Sequence, residues 1–340
     1  MRSSALALCF VVGMACIPAT EASAQTVIKV DTWLAPNNPQ NEVVFPAWGK
    51  AVEQATQGRV KVQISYPPNV NPQTFFDRLV DGISDVCWSF HGYNPGRFVV
   101  TQIVELPGLD ASAYEATVAY ERIQQKFLDK AGEHKGIHLL TVFSHGPGML
   151  HTREPITKFD QFKGLKVRNG GGVGGEVGNS LGFVSVPAPA SKVYEIISQG
   201  VASGTLMPIE AKDDFNLKEI APYTLVYPGG FYYGSFFIGL SPSKYDKLSK
   251  ADQAAIDKVS GENLAQIVGK AWRDADEHGR KEALAKGNTI ATASPDLAKE
   301  IKAKLGHIET DWIEKASKKG IDAKAALEAL RAEVIKLKKS

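Results

Sequence analysis

The charged residue with the clearest chemical potential is Arg168, which ends the strand-like segment 165–168 and opens onto a glycine-rich run at 170–175. A guanidinium in that place can bind a carboxylate through two parallel hydrogen bonds, and the backbone N–H groups of a glycine turn can add further donors. The end of a strand would, taken alone, favour an ordinary surface arginine. The sequence around Arg168 therefore permits two interpretations, an arginine that binds a ligand carboxylate and an ordinary exposed arginine.

The glycine-rich run 170–175 fits the dinucleotide-binding pattern G-x-G-x-x-G, since it follows a predicted strand and precedes a predicted helix. A dinucleotide fingerprint also requires the first strand of a βαβ unit and an acidic residue about 20 residues later, at the end of the second strand. Glu195 has nearly that spacing but lies in a helical segment. We interpret the run as a turn whose backbone approaches a small anion at a helix N-terminus, and we expect no cofactor.

Two histidines could bind a ligand or act as bases, because His91 and His145 each follow a predicted strand, where the ligand crevices of α/β sheets lie. Neither has a second histidine at the H-x-x-x-H spacing of a zinc site. Glu210 and Asp213 could help to bind a metal ion, but their spacing is unspecific. We expect no metal site.

Residues 1–24 are predicted to be an export signal, because a basic residue near the N-terminus precedes the apolar run 5–17 and the segment ends in a small-residue Ala-Ser-Ala motif. The apolar run is too short to cross a bilayer, which takes about 20 residues. A core helix and a lipoprotein modified at Cys16 are the alternatives. The signal predicts a periplasmic protein that begins at Gln25.

The remaining chain has the composition of an ordinary globular protein, with 44% apolar and 22% charged residues and a formal net charge of +2. Its length favours two domains, and the near-neutral charge gives no reason to expect nucleic acid. Two of the three cysteines lie in the predicted signal, so no intrachain disulfide is expected. Cys87 lies in an apolar run and is predicted to be a buried thiol.

The hydrophobic periodicity predicts an α/β protein. Segments 27–33, 60–66 and 85–90 have strand patterns, and helical patterns at 44–55 and 73–80 separate them. This β-α-β-α-β order predicts a parallel sheet flanked by helices. Residues 250–286 lack proline and carry an apolar stripe, which predicts one long helix or two stacked helices. Further strands are predicted over 137–143 with an extension through 152, 165–168 and 231–240, and further helices over 112–134, 192–198 and the region after 286.

Several short blocks in the chain follow the order found in a known protein family. The blocks are TQGRVKV at 56–62, GISD at 82–85, ELP at 105–107, FKGLKVR at 162–168 and VYE at 193–195. With these blocks the chain resembles the substrate-binding proteins of tripartite ATP-independent periplasmic (TRAP) transporters, the DctP-like family, over nearly its whole mature length. The block K-G-L-K-x-R is the most specific part of the resemblance.

The resemblance implies a periplasmic binding protein-like fold of two α/β lobes with a hinge and a long helix that crosses both lobes. Residues 25–146 with part of 236–270 would form lobe I, and residues 147–235 with part of 271–340 would form lobe II. Such proteins catalyse nothing and deliver their ligand to a membrane symporter. The resemblance also implies that Arg168 clamps the ligand carboxylate, and we expect a monomer.

The chain departs from the sialic acid and C4-dicarboxylate members at three places. It has Gly146-Pro147-Gly148-Met149 where they carry a second arginine, Met207 in place of an asparagine, and Ala190 in place of a phenylalanine. One anion clamp among apolar walls favours a monocarboxylate with a flat or apolar body. The predicted ligand-binding residues are Arg168, Trp33, Trp88, Phe90, His91, Tyr93, His145, Met207, Tyr232 and Phe236.

Two other functions remain open. The first is the binding of a C4-dicarboxylate, or of a 2-oxo acid together with a metal ion. The second is a secreted enzyme that acts on aromatic acids with His91 or His145 as the base. A nucleophile beside a base would favour the enzyme, and the sequence offers no recognisable pair of this kind.

Overall fold

The protein contains two β-sheets flanked by helices, which confirms the predicted mixed α/β fold of two lobes. The structure, a computed structural model, describes residues 25–68 and 70–339, so the predicted signal peptide lies outside the described residues. The strands are Thr26–Asp31 (β1), Val60–Ser65 (β2), Val86–Phe90 (β3), His138–Ser144 (β4), Met149–Thr152 (β5), Lys166–Asn169 (β6), Val184–Pro187 (β7), Gly204–Met207 (β8), Tyr223–Val226 (β9), Ser235–Leu240 (β10) and Thr289–Thr292 (β11).

The helices surround both sheets. They are Phe45–Ala55 (α1), Phe75–Val80 (α2), Ala113–Ile123 (α3), Gly172–Leu181 (α4), Val193–Ser198 (α5), Ala211–Asp214 (α6), Leu217–Ile220 (α7), Pro242–Tyr245 (α8), Lys250–Val259 (α9), Glu262–Ala285 (α10), Pro295–Ser317 (α11) and Ala323–Leu337 (α12). Within the described residues, no helix is both long enough and apolar enough to span a membrane.

The first sheet has the strand order β2-β1-β3-β10-β4. Strands β1, β2 and β3 are parallel, as the β-α-β-α-β pattern predicts, and β3 is buried at every position. Strand β10 runs antiparallel to both of its neighbours, β3 and β4. The predicted strand 231–240 is therefore shorter than expected, because residues 231–234 make no sheet pairing before β10 begins.

The second sheet has the order β11-β9-β5-β8-β6-β7. The prediction that residues 147–152 extend strand β4 was wrong, because β5 pairs with β8 and β9 in this second sheet. The chain crosses from one sheet to the other between Ser144 and Met149. Strands β7, β8, β9 and β11 were not predicted, since each has four residues and too few positions to display a periodicity.

The segment 250–286 forms two helices, α9 and α10, which join at Gly261 with a positive φ of 56°. Helix α10 packs against α3 and β4 of the first lobe and, further along, against α6 of the second lobe. Glycines permit this close approach. A Cβ atom at Gly269 would lie 3.0 Å from the Cα of Tyr114, and one at Gly279 would lie 2.6 Å from the Cα of Glu210. Helix α10 thus crosses both lobes.

Replacing Gly279 by alanine should destabilise the protein, although alanine is the better helix former. The added Cβ would lie 2.6 Å from the carbonyl oxygen of Ile209 and from the Cα of Glu210, and backbone atoms cannot rotate away. We expect the free energy of unfolding, measured by urea denaturation, to fall by about 1–3 kcal/mol.

Gly306 supplies the matched control, because it lies in α11 and an added Cβ would meet no atom within 4 Å. Gly306→Ala should raise the free energy of unfolding by about 0.5–1 kcal/mol. Stabilisation by both substitutions would show that α10 does not press on the second lobe at Gly279.

Candidate functional site

In both sheets, the edge that faces the cleft contains the carboxyl ends of parallel strands. On the first sheet, β1 and β3 end there, and β10, which is antiparallel, begins there with Phe236 paired to Phe90. On the second sheet, β6 and β8 end at the cleft, and β5 begins there with Met149 paired to Met207. Residues just beyond the carboxyl ends of parallel strands are where α/β sheets place ligands.

A cavity lies in this cleft. Nine of the ten residues predicted to bind ligand line it, and His91 does not. The lining residues are Trp33, Leu34, Trp88, Phe90, Tyr93, His145, Arg168, Gly170, Ala190, Met207, Pro208, Glu210, Phe215, Tyr232, Phe236 and Trp272.

Arg168 is the cation of the cavity and is only 2% exposed. Its Nε and Nη2 atoms donate to the carbonyl oxygen of Ala188, at 3.0 and 2.6 Å, which fixes the guanidinium plane. The hydroxyl of Tyr93 lies beside it and accepts a hydrogen bond from the backbone N–H of Ala190. Among the described residues, no carboxylate forms an ion pair with Arg168. A desolvated cation without a counter-ion is costly, and an anionic ligand would remove that cost.

The glycine turn beyond Arg168 brings the two lobes together. Gly171 has a φ of 94°, and a Cβ atom on it would lie 2.8 Å from the carbonyl oxygen of Gly92 in the first lobe. The backbone N–H of Val173, at the start of α4, donates to Oε2 of Glu105 at 2.9 Å. A carboxyl group of the other lobe thus lies at the N-terminus of α4, where the sequence predicted a small anion.

One expectation about this turn changes. The Val173 N–H donates to Oε2 of Glu105, and the Gly171 N–H donates to Oδ1 of Asn169. These backbone donors are therefore not free to help Arg168 bind a carboxylate. Burial raises the pKa of Glu105 to about 7, while hydrogen bonds from Ser235 and Val173 act in the opposite direction.

Aromatic rings form one side of the cavity. Trp33 and Trp88 have ring centroids 4.9 Å apart, and Trp33 meets the edge of Tyr93 at 5.8 Å. Phe236 lies between Phe90 at 5.3 Å and Trp272 at 6.0 Å. This wall buries its rings against one another and gives the cavity an apolar surface, which suits a flat apolar ligand.

The two predicted histidines differ in position. His145 lines the cavity, its Nδ1 lies 2.6 Å from the carbonyl oxygen of Gly146, and burial lowers its pKa to about 4. His91 lies on the other side of the sheet, where its Nδ1 contacts the hydroxyl of Ser235 and its Nε2 contacts Nε2 of His134 at 2.8 Å. His91 packs among aromatic rings there because residues 90 and 91 project to opposite faces of the sheet.

Three acidic groups lie at the second-lobe side of the cleft, of which Glu210 is buried and Asp214 and Asp276 are half-buried. Burial raises the pKa of Glu210 well above its usual value, and repulsion from Asp276 and Asp214 adds to the effect. Burial likewise raises the pKa of Asp276 and of Asp214 to about 7. Asp214 also accepts a hydrogen bond from Asn38 of the first lobe at 2.9 Å. Asp213, the suggested metal-binding partner of Glu210, instead pairs with Lys218 and lies 3.3 Å from His278.

Several lining residues were missed by the sequence interpretation. Trp272 belonged to the predicted apolar stripe of the long helix, but only the crossing of α10 over the cleft brings it to the cavity. Leu34, Pro208 and Phe215 follow strands or a short helix and carry no motif. Over residues 25–68 and 70–339, no three His, Cys, Asp or Glu side chains converge in a way that could hold a metal ion.

The family model for bacterial extracellular solute-binding protein family 7, DctP, matches residues 30–315. The chain therefore belongs to this family, which confirms the resemblance found in the sequence. Outer membrane transporter protein TsaT of Comamonas testosteroni is 30% identical over 329 residues, which are 96% of this chain and 97% of that protein.

Two solved structures have the same fold. A TRAP periplasmic solute-binding protein from Bordetella bronchiseptica with bound (R)-mandelate and (S)-mandelate is 33% identical, with a TM-score of 0.89 over 92% of this chain and 99% of that chain. A TRAP solute-binding protein from Rhodoferax ferrireducens in complex with copurified benzoate is 27% identical, with a TM-score of 0.84 over 93% of this chain and 99% of that chain.

The raised pKa of Asp214 gives a testable dependence of stability on pH. The folded state holds this proton up to about pH 7, while the unfolded chain releases it near pH 4, so the group reduces stability as the pH rises through this window. Asp214→Asn removes the titration and keeps an acceptor for Asn38. We expect the free energy of unfolding of the variant, relative to the parent, to rise by about 1–3 kcal/mol between pH 4.5 and pH 8.

Urea denaturation of both proteins at each pH measures this difference. The buried histidines are common to both proteins, so their own titration cancels in the comparison. A difference that stays constant with pH would contradict the raised pKa of Asp214.

Proposed function

We propose that this family member binds an aromatic or apolar monocarboxylate in the cavity between its lobes and delivers it to a TRAP membrane symporter. Residues 1–24 would export the chain to the periplasm and then be removed. Lobe I would comprise residues 25–146 with part of 236–270, and lobe II residues 147–235 with part of 271–340. The proposal includes no catalysis and no cofactor.

The observation that carries the proposal is the buried charge of Arg168 in a cavity of largely apolar side chains. The Ala188 carbonyl holds the guanidinium on one edge without neutralising its charge. A ligand carboxylate at the remaining edge would supply the missing negative charge, with the Tyr93 hydroxyl beside it. The ligand body would then lie against the aromatic wall of Trp33, Trp88 and Phe236.

The charge of the lining favours one carboxylate over two. No second arginine or lysine lines the cavity in the part of the chain that the structure describes, so a second carboxylate would lose its hydration without gaining a partner. The Bordetella and Rhodoferax proteins, which bind mandelate and benzoate, support an aromatic acid in this fold.

The enzyme alternative receives little support from the site. Its remaining base would be His145, and a pKa of about 4 makes that imidazole a weak base at neutral pH. The pattern G-x-S-x-G does occur at 178–182, but Ser180 lies inside helix α4 and donates to the Glu176 carbonyl oxygen. A nucleophile elbow would place the serine at a strand-to-helix turn.

Removal of the clamp should abolish tight binding. In Arg168→Ala, the free energy of benzoate binding measured by calorimetry should weaken by about 2–5 kcal/mol, which raises the dissociation constant about thirtyfold or more. Arg168→Lys keeps the charge but loses the planar fork, so its affinity should lie between those of the alanine variant and the parent. Arg153, which is exposed in the second lobe, provides the control, and Arg153→Ala should bind benzoate as the parent does. Parental affinity in Arg168→Ala would refute the clamp.

The ligand class can be tested by side-by-side titrations of benzoate, phenylacetate, succinate and malate. We expect the aromatic monocarboxylates to bind at least about tenfold more tightly, because the second carboxylate of a diacid would be buried and unpaired. The melting temperature should rise in parallel with affinity. Tight succinate binding without any response to benzoate would contradict the proposed ligand class.

A further inference from the structure

One polar group in the cavity is left without a partner. Glu210 follows strand β8 at the start of helix α6, lines the cavity and is 2% exposed. Its Oε2 atom is buried and has no hydrogen-bond partner among the described residues. A buried unpaired carboxyl oxygen is costly, so the closed cavity favours a ligand that brings a matching group.

The surroundings of Glu210 favour the uncharged form of its carboxyl group. Burial raises its pKa, and Asp276, which accepts the Glu210 backbone N–H at 3.3 Å, and Asp214 raise it further. The nearest lysine on the same helix, Lys212, is directed away and donates to the Ala221 carbonyl oxygen and to Asn288. The positive charge of Arg280, which lies on helix α10 with Asp276, lowers the pKa of Asp276 but does not offset the effect of burial. A neutral carboxyl group can both donate and accept a hydrogen bond.

Arg168 and Glu210 belong to neighbouring parts of the second sheet. Arg168 in β6 is paired with Thr205 in β8, and Glu210 lies three residues beyond the end of β8. Both residues act electrostatically on Tyr232. Burial raises the pKa of Tyr232, the charge of Arg168 lowers it and Glu210 raises it. The Tyr232 hydroxyl itself donates to the Leu206 carbonyl oxygen at 3.1 Å and so remains fixed. Arg168, Tyr232 and Glu210 all line the cavity, so a ligand held at Arg168 would share this space with Glu210.

We propose that Glu210 determines specificity by forming a hydrogen bond with a hydroxyl group of the ligand, so that the preferred ligands are hydroxylated aromatic monocarboxylates. This inference rests on the proposed function and narrows its ligand class. An aromatic acid without a hydroxyl group would still pair with Arg168 but would leave Oε2 of Glu210 unsatisfied. Sites with buried polar groups discriminate strongly against ligands that lack the matching group.

A ligand ammonium group is the competing partner for an acid in this position. It would require Glu210 to ionise between Asp276 and Asp214, whereas a hydroxyl group requires no change of charge. The two possibilities predict opposite effects of Glu210→Gln, because glutamine keeps a donor and an acceptor but can never carry a negative charge.

Calorimetric titrations with matched ligand pairs test the inference. The pairs are benzoate with 2-, 3- and 4-hydroxybenzoate and phenylacetate with mandelate, and L-phenylalanine is the ammonium-bearing probe. In the unsubstituted protein we expect at least one hydroxylated acid to bind about tenfold more tightly than the matching acid without the hydroxyl group. Glu210→Gln should keep most of this affinity ratio. Glu210→Met should reduce it towards one while it still binds the unhydroxylated acid.

The outcomes separate this inference from the proposed function. If the parent protein binds benzoate and every hydroxylated partner equally, the role of Glu210 is overturned and the proposed function stands. If no aromatic monocarboxylate binds, the proposed function itself fails.

A ratio that persists in Glu210→Met assigns the hydroxyl to another residue. Preference for L-phenylalanine that is lost in Glu210→Gln assigns Glu210 to an ammonium group. If the methionine variant does not fold, Glu210→Leu replaces it, and the same ratio is measured in that variant.

Discussion

The burial of one uncompensated positive charge is the constraint on which the site depends. Arg168 is held by a single carbonyl oxygen, from Ala188 beyond strand β7, and the second sheet must place β6 beside β7 to provide it. The aromatic rings of the first lobe cover the same space and keep water away from the guanidinium. Electrostatic attraction is stronger in such a desolvated cavity than at a surface, so the charge can select an anion.

Glycines allow the two lobes to meet around that charge. Gly171 lies against the backbone of Gly92, and Gly279 lets helix α10 rest on the chain at Glu210. Glu105 completes the contact, since its carboxyl group accepts hydrogen bonds from Ser235 beside the first sheet and from Val173 at the start of α4. Side chains at these glycines would separate the walls of the cavity, because the neighbouring atoms belong to the backbone and cannot move aside.

Much of the site was predictable because α/β proteins place their ligand sites at the ends of strands. Trp33, Phe90, His145 and Arg168 each follow or end a strand that the periodicity revealed, and all four line the cavity. His91 was assigned to the same crevice, but successive residues along an extended chain project to opposite faces, and its ring packs against His134 instead. Trp272 could not be assigned, since its distance from the strand ends in sequence gives no sign of their proximity in space.

The sequence alone determined the α/β class, the family, the place of Arg168 at a strand end and the aromatic character of its surroundings, because these depend on residue types and short-range spacing. Only the tertiary structure decided that residues 147–152 join the second sheet, that β10 runs antiparallel, and that Glu105 fills the glycine turn. The acidic group at Glu210, Asp214 and Asp276 likewise exists only in the folded chain. Glu210 and Asp214 lie at the two ends of helix α6, but Asp276 comes from helix α10. Their raised pKa values arise from burial and mutual repulsion, which no local pattern encodes.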